Sequence, residues 1–246
     1  MTDYPSFHLG IVTPMANESA TATKFVNSAL REASRYPFRQ ISLFPVLDNV
    51  CTDGTKEVLE YYAHNDKRLV VVHAPENRCV VDAYMRGYKE ALDAGCDWIL
   101  EMDAGFSHDP ASIPAFLEKI PGDFDVIYAT RFTLGGKIVD SGFRRKCLSR
   151  FGGIVSNLLL GTKLGDMTSG FILYSRSALE QVLSEGVQSK GPFFQTEMKY
   201  HARHLRYAEV PITYSGASHQ IGKKAMQDAK FHLRRLFKQR LKSMFW

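Results

Sequence analysis

The chain of 246 residues has little cysteine and tryptophan, four and two residues respectively. Cys51, Cys79, Cys96 and Cys147 are widely spaced with no Cys-x-x-Cys pair. That argues against a disulfide framework or a structural zinc site and predicts free thiols. No apolar run approaches the ~18 residues that a bilayer-crossing helix needs. No signal-peptide pattern opens the sequence, so the expectation is a cytoplasmic protein. Repeats, low-complexity tracts and an obvious linker are lacking as well. With 45% hydrophobic and 23% charged residues, the composition is that of a globular core and not of a disordered chain.

The net charge is +5, but it is not spread evenly. Residues 223–246 hold eight Lys/Arg and one acid, a local +7, which leaves −2 for the rest. A nearly neutral body speaks against a nucleic-acid binder.

Apolar runs at 8–13, 41–47, 69–74, 98–102 and 125–130 alternate with helical patterns at 19–34, 54–65, 78–94 and 111–120. This is the pattern of an α/β fold with a mostly parallel sheet and helices on both faces. Val70, Val71 and Val72 follow Leu69 without a polar break, as a strand covered on both faces requires. The second half predicts a helix over 144–160, a strand near 170–174 and helices near 176–184 and 194–205. A strand over 207–214 and a long helix over 222–243 complete it. We expect one domain over 1–222, with a donor half at about 8–131 and an acceptor half at about 132–222. A basic amphipathic helix over 223–246 follows.

The chemistry concentrates at strand ends. The fourth strand stops on Asp103 and opens into Ala104-Gly105-Phe106-Ser107-His108-Asp109-Pro110. A carboxylate there lies where open α/β sheets bind ligands, and can hold a divalent cation on a diphosphate. The first strand ends in Pro14-Met15-Ala16-Asn17-Glu18, and the second in Asp48-Asn49 followed by Asp53-Gly54-Thr55. These ends form a crevice for a base and ribose, although Asn17 or Asp53 could equally cap the helix that follows. Asp109-Pro110 reads as a helix cap with proline at the first helical position. Arg145 and Ser149 stand at i and i+4 on one helical face, so both can reach one phosphate; a solvated basic helix is the alternative.

These blocks, in this order, resemble family 2 glycosyltransferases of GT-A fold, and within them the dolichol-phosphate mannose synthases and other polyprenyl-phosphate glycosyltransferases. The family has Asp-Ala-Asp where this chain has Asp103-Ala104-Gly105, so one carboxylate is missing. Arg131, Arg145 and Ser149 match its phosphate-binding segment, and Asp166-Met167-Thr168-Ser169-Gly170-Phe171 matches an Asp-x-Thr-Ser-Gly-Phe signature intact. Phe193-Phe194-Gln195-Thr196-Glu197 resembles its acidic helix. An Arg that the family carries late in the domain falls on Ala217, and Lys223 or Lys224 fits the Lys after it.

The resemblance implies an inverting transfer of a hexose from a nucleotide sugar, such as GDP-mannose or a UDP-sugar, to a polyprenyl phosphate. It implies Pro14, Asn17, Glu18, Asp48, Asn49 and Asp103 at the nucleotide sugar. Arg131, Arg145, Ser149, Lys223 and Lys224 would stand at the acceptor phosphate, and Asp103, Arg131, Arg145, Asp166 and Glu197 at the reaction. Mg2+ or Mn2+ would bind at Asp103, weakly because position 105 is glycine. The tail, with Met226, Ala229, Leu233, Leu236, Phe237, Leu241 and Met244 on one stripe, either meets an anionic membrane or packs on the body. The first reading makes the protein peripheral on the inner membrane face. Two other functions stay open: transfer to a sugar hydroxyl, with Asp166 or Glu197 as base, and a silent nucleotide-sugar binding protein.

Overall fold

The computed structural model of the chain describes residues 6–139, 143–215 and 222–244; of Phe143, Arg144, Arg145 and Leu148 it describes the backbone alone. Ala217 and His219 therefore lie outside the described residues, as do Phe245 and Trp246.

The first half alternates strand and helix as its periodicity requires: β1 (His8–Pro14), α1 (Ala22–Ala33), β2 (Gln40–Leu47), α2 (Thr55–Asn65), β3 (Val72–His73), α3 (Val80–Asp93) and β4 (Trp98–Glu101). A 3-10 turn at Pro110–Ser112 leads into α4 (Ile113–Leu117), followed by β5 (Val126–Thr130) and β6 (Lys137–Val139). The second half holds α5 (Phe143–Leu160), β7 (Ile172–Ser175), α6 (Arg176–Ser184), α7 (Phe194–His201), β8 (Tyr207–Pro211), β9 (Thr213–Ser215) and α8 (Lys223–Ser243). Seven strands form one sheet in the order β3-β2-β1-β4-β7-β5-β8. β7 alone runs antiparallel to its neighbours β4 and β5. Going outward from β1, the chain proceeds to β2 and β3 on one side and returns to β4 on the other. The carboxyl ends of β1 and β4 therefore flank the switch point at which such sheets bind ligands.

Side chains alternate across the sheet, so β1 feeds two cores. Leu9 and Ile11 meet Phe25, Val26 and Leu30 of α1, whereas Val12 joins Tyr84, Tyr88 and Ala91 of α3 on the opposite face. α3 lies close enough that a methyl at Gly87 would sit 2.3 Å from Val12 Cγ1, so glycine is required there.

Three elements differ from the sequence expectation. The third strand is regular only over Val72–His73, yet Val70 N donates to Leu43 O at 2.9 Å. This edge strand has one neighbour and can break its ladder at small cost. The run 207–214 divides at Pro211–Ile212: β8 stays in the main sheet, while β9 pairs in parallel with β6 as a second, two-stranded sheet. Helix α7 ends at His201, short of the expected 205. Asp109 does cap the turn after β4, its Oδ1 accepting from Ala111 N at 2.9 Å with Pro110 at the first position.

Candidate active site

At the donor end, the loops after β1 and β2 are tied together by their own polar side chains. Asn17, at φ 58°, donates from Nδ2 to Val50 O at 3.1 Å and accepts from Thr52 N at 3.0 Å. Asp53 accepts from Ser19 N at 3.0 Å and from Thr55 N at 3.1 Å. The Thr55 hydroxyl and the Ser19 amide hold the Asp53 carboxyl well below its ordinary range. Asn17 thus bridges two loops and caps no helix; Gly54 is the N-cap of α2, and Asp53, one residue before it, accepts from the amide of the first helical residue and joins that bridge. The Asp48 carboxylate accepts from Val50 N at 3.0 Å, within its own turn, and Asn49 is exposed beside it. Pro14 closes β1 at the mouth of this crevice.

Asp103 lies just beyond β4 with its side chain 44% exposed, open to a ligand. Tyr84 Oη donates to its Oδ1 at 2.6 Å. Its backbone N–H donates to Nδ1 of His108 at 2.9 Å. His108 is buried, and burial lowers its pKa. Its Nδ1 lone pair is committed to that amide, so His108 does not add Nδ1 to a metal shell. Among the described residues no three His, Cys, Asp or Glu side chains converge as a metal site. The donors suit a cation that arrives with its own phosphate ligands and takes one carboxylate from the protein.

Gly105, at φ 66°, stands beside Asp103 in a conformation L residues rarely take. A methyl there would lie 2.6 Å from Glu18 Oε1. The space that a side chain at 105 would need is filled by the Glu18 carboxylate, whose Oε2 accepts from Thr21 Oγ1 at 2.5 Å.

At the acceptor end, Arg131 follows β5 and Asp166 follows α5. Their pairing is bidentate: Nε to Oδ2 at 2.6 Å and Nη2 to Oδ1 at 2.9 Å. Arg131 also donates to Thr168 Oγ1 at 2.6 Å, which lies 3.1 Å from Ser149 Oγ. Burial alone would raise the Asp166 carboxyl, but the hydrogen bonds and charge of Arg131, with Lys199 behind, bring it down to about 2. Arg131, Asp166 and Ser149 are thus brought together as the sequence predicts. Beside them a cavity of about 270 Å³ has Arg131, Lys146 and Arg150 around Phe132 and Ile138. The Arg145 side chain lies outside the described atoms, with its backbone in α5.

An edge-to-face ring contact and a cation–π contact join the two ends. His108 stands 5.4 Å from Tyr214, and the Arg131 guanidinium lies 5.3 Å from the same Tyr214 ring. Tyr84, Thr168 and Tyr214 complete the site without having been assigned roles from sequence, whereas His108, which the sequence offered as a helper of Asp103 at the metal, is instead committed to the Asp103 amide. Thr168 was visible within its motif; the two tyrosines carry no motif of their own.

Two assignments do not converge here. Glu197 is fully buried on α7, and its oxygens are taken by Gln188 N at 3.1 Å, Ser189 N at 2.8 Å and Arg235 of α8. Burial raises its carboxyl, but His201, those amides and Arg235 outweigh burial and leave it at about 2. These partners are scaffold, and a carboxylate so occupied is unsuited to act as a base. Lys223 and Lys224 are exposed at the start of α8, and Lys224 lines a different cavity, of about 640 Å³, with Arg78, Asp82, Lys190 and Asp228.

The sequence profile of glycosyl transferase family 2 matches residues 10–183, so the chain belongs to that family and is a glycosyltransferase. It is 33% identical over 171 residues to an undecaprenyl-phosphate mannosyltransferase of Micrococcus luteus, covering 69% of this chain and 70% of that protein. It is 31% identical over 173 residues to a polyprenol monophosphomannose synthase of Mycolicibacterium smegmatis, covering 69% of this chain and 65% of that protein. Among solved structures, glucosyl-3-phosphoglycerate synthase of Mycobacterium tuberculosis, crystallised with Mn2+, UDP-glucose and phosphoglyceric acid, superposes with a TM-score of 0.65 at 15% identity. That match covers 95% of this chain and 79% of the other. Mannosyl-3-phosphoglycerate synthase of Rubrobacter xylanophilus gives 0.60 at 16% identity, over 97% and 75%. At these identities the structures establish the shared GT-A fold.

Proposed function

We propose that the protein transfers a hexose from a nucleotide sugar to a polyprenyl phosphate. The carrying observation is the acceptor end: Arg131, Thr168 and Ser149 are linked in one hydrogen-bonded cluster beside a cavity that Lys146 and Arg150 also line, and Asp166 is spent on orienting Arg131. A hydroxyl acceptor needs a base to take its proton. Asp166 and Glu197, the candidate bases, are both held ionised by tight partners, which makes them poor proton acceptors. A phosphate monoester is already anionic and needs positioning instead. The names of the two sequence relatives support the same acceptor class.

In this reading a phosphate oxygen attacks the anomeric carbon from the side opposite the nucleotide. The bond from that carbon to the diphosphate oxygen breaks, its electron pair leaves with the nucleoside diphosphate, and configuration inverts. Arg131, with Arg145 and Ser149, orients the attacking phosphate. Asn17, Glu18, Asp48 and Asn49 border the nucleotide. Mg2+ or Mn2+ brought in with the diphosphate would be held by Asp103 and would neutralise charge on the leaving group.

Such an acceptor lives in a bilayer. Among the described residues no helix is long and apolar enough to cross one. Exposed Phe151, Ile154 and Leu158 on α5, with Phe231, Leu241 and Met244 on α8, offer apolar contacts among lysines and arginines. They support a peripheral position on the cytoplasmic face of an anionic membrane.

The test is transfer of radiolabelled sugar from GDP-mannose, UDP-glucose and UDP-galactose to undecaprenyl phosphate in detergent. Label entering the organic phase with one donor, and released by mild acid, is the expected result. Turnover with glycan hydroxyl acceptors but not with the lipid phosphate would overturn the reading.

A further inference from the structure

Lys199 belongs to no motif in the sequence, yet it is fully buried beneath the acceptor end. A lysine is almost never fully buried unless paired. Among the described residues no carboxylate forms a salt bridge with it. Nζ instead donates to two main-chain carbonyls of one turn, Asp166 O and Ser169 O, each at 2.8 Å. Thr196, three residues earlier on α7, donates from Oγ1 to Met167 O at 3.0 Å. Gln195 packs under Gly170, where a methyl would meet its Nε2 at 2.7 Å, and donates that Nε2 to Glu101 Oε1 at 2.6 Å. Three side chains of α7 thus brace the 166–170 turn from below, on the side opposite the phosphate donors.

Charge gives the brace a second consequence. Asp166 and Arg131 form a bidentate pair with no net charge, a poor attractant for a phosphate. A buried ammonium directly behind Asp166 adds a positive charge to that neutral pair; Glu101 and Glu209 also face it, and burial raises both carboxyls, which weakens their opposing charge. We propose that Lys199 is a positioning residue for the acceptor phosphate: it fixes the turn that aims Arg131 and restores the positive charge that Asp166 cancels. This inference rests on the acceptor assignment above and deepens it.

The groups facing Nζ are Asp166, Arg131, Glu101 and Glu209, with the Tyr128 ring at 5.5 Å. Burial lowers the ammonium to about 8, so the extra charge is present at neutral pH and fades above it.

The experiment compares wild type with Lys199→Met in three measurements on the whole chain. The first is calorimetric binding of farnesyl phosphate between pH 7 and 9. The second is binding of UDP and GDP, and the third is amide hydrogen exchange without ligand. Lys199→Met is expected to weaken farnesyl phosphate about tenfold at pH 7 and to leave the nucleotide dissociation constants within twofold. It should also flatten the wild-type loss of farnesyl phosphate affinity above pH 8 and speed exchange selectively over 166–170. Farnesyl phosphate binding within twofold of wild type, or an equal loss of nucleotide binding, would overturn the proposal. If Lys199→Met does not fold, Thr196→Val carries the test, with about threefold weaker farnesyl phosphate expected and unchanged binding overturning it. Should the wild type bind no farnesyl phosphate, the acceptor assignment fails. The exchange measurement, which needs no ligand, then decides whether Lys199 holds the turn.

Discussion

Asp103 and Gly105 set the donor chemistry residue by residue. Asp103→Asn keeps an acceptor for the Tyr84 hydroxyl and removes only the charge. It should lower transfer by roughly 10²-fold or more, the scale of losing one preorganised electrostatic group, with little change in Tm. Near wild-type turnover would remove the carboxylate from the reaction. Gly105→Asp restores the family's second acid, but the new Cβ meets the Glu18 carboxylate at 2.6 Å. Without metal the variant should be destabilised by about 1–2 kcal/mol from the left-handed backbone alone, more with the repulsion from Glu18. Mn2+ should return most of the lost Tm by neutralising the two acids. A Tm indifferent to Mn2+ would place the new side chain away from the cation. Sequence order made Asp103, Arg131, Asp166 and Ser149 legible, because each stands within a recognisable block. Tyr84 and Tyr214 were not, since an aromatic residue that contacts a ligand group reads the same as one in the core. Glu197 misled for the converse reason: an acid on a helix looks identical whether it faces a substrate or caps a buried loop.

Element by element, the alternation of strands and helices was readable because period and length agreed. The antiparallel β7 and the β6–β9 pair were not, since strands of three or four residues carry no mark of their direction or partner. The element whose role changes most is α8. Its stripe was open to two readings, and Leu236 is fully buried, with Leu233 packed against the core shared with α3, α6 and α7. Arg235 pairs with the buried Glu197, and Arg240 donates to Leu158 O and Leu159 O of α5 at 3.0 and 2.8 Å. The inner face of α8 is therefore part of the domain, and of its large apolar side chains among the described residues Phe231, Leu241 and Met244 remain exposed. Leu236→Ala should cost ~2–5 kcal/mol in urea unfolding, the range for emptying a buried leucine site. Deleting 226–246 should leave a protein that aggregates. A soluble, cooperatively folding truncation would mean that this packing contributes little.

Two consequences belong to the whole molecule, one of pH and one of surface charge. Asp166 and Glu197 each sit at about 2 when folded, below the ordinary unfolded carboxyl values. The stability they contribute is present above about pH 4 and is lost as pH falls toward 2. For Asp166 this is about 2–3 kcal/mol, and the Asp166→Asn variant should show a shallower fall of the urea midpoint over that window. An unchanged slope would mean that Asp166 titrates normally. The second consequence concerns where the charge lies. The body carries −2 and the last 24 residues +7, and this helix packs beside α5, whose outer face exposes Phe151 at 66%, Ile154 at 57% and Leu158 at 77%. Apolar side chains that enter an interface are held there by burial, while lysines and arginines around them each contribute about 1 kcal/mol toward anionic lipid. The electrostatic part is screened over ~10 Å at 0.1 M salt, so it must weaken as salt rises. Co-sedimentation should show binding to phosphatidylglycerol vesicles, little to phosphatidylcholine, and steep release with salt. Phe151→Ser with Leu158→Ser should reduce binding at every salt concentration without altering the salt slope, because apolar burial is not screened. Lys238→Glu with Lys242→Glu should flatten the slope instead. If the serine pair binds as well as wild type, α5 does not face the lipid; if the charge pair keeps the full slope, the attraction arises elsewhere on the surface.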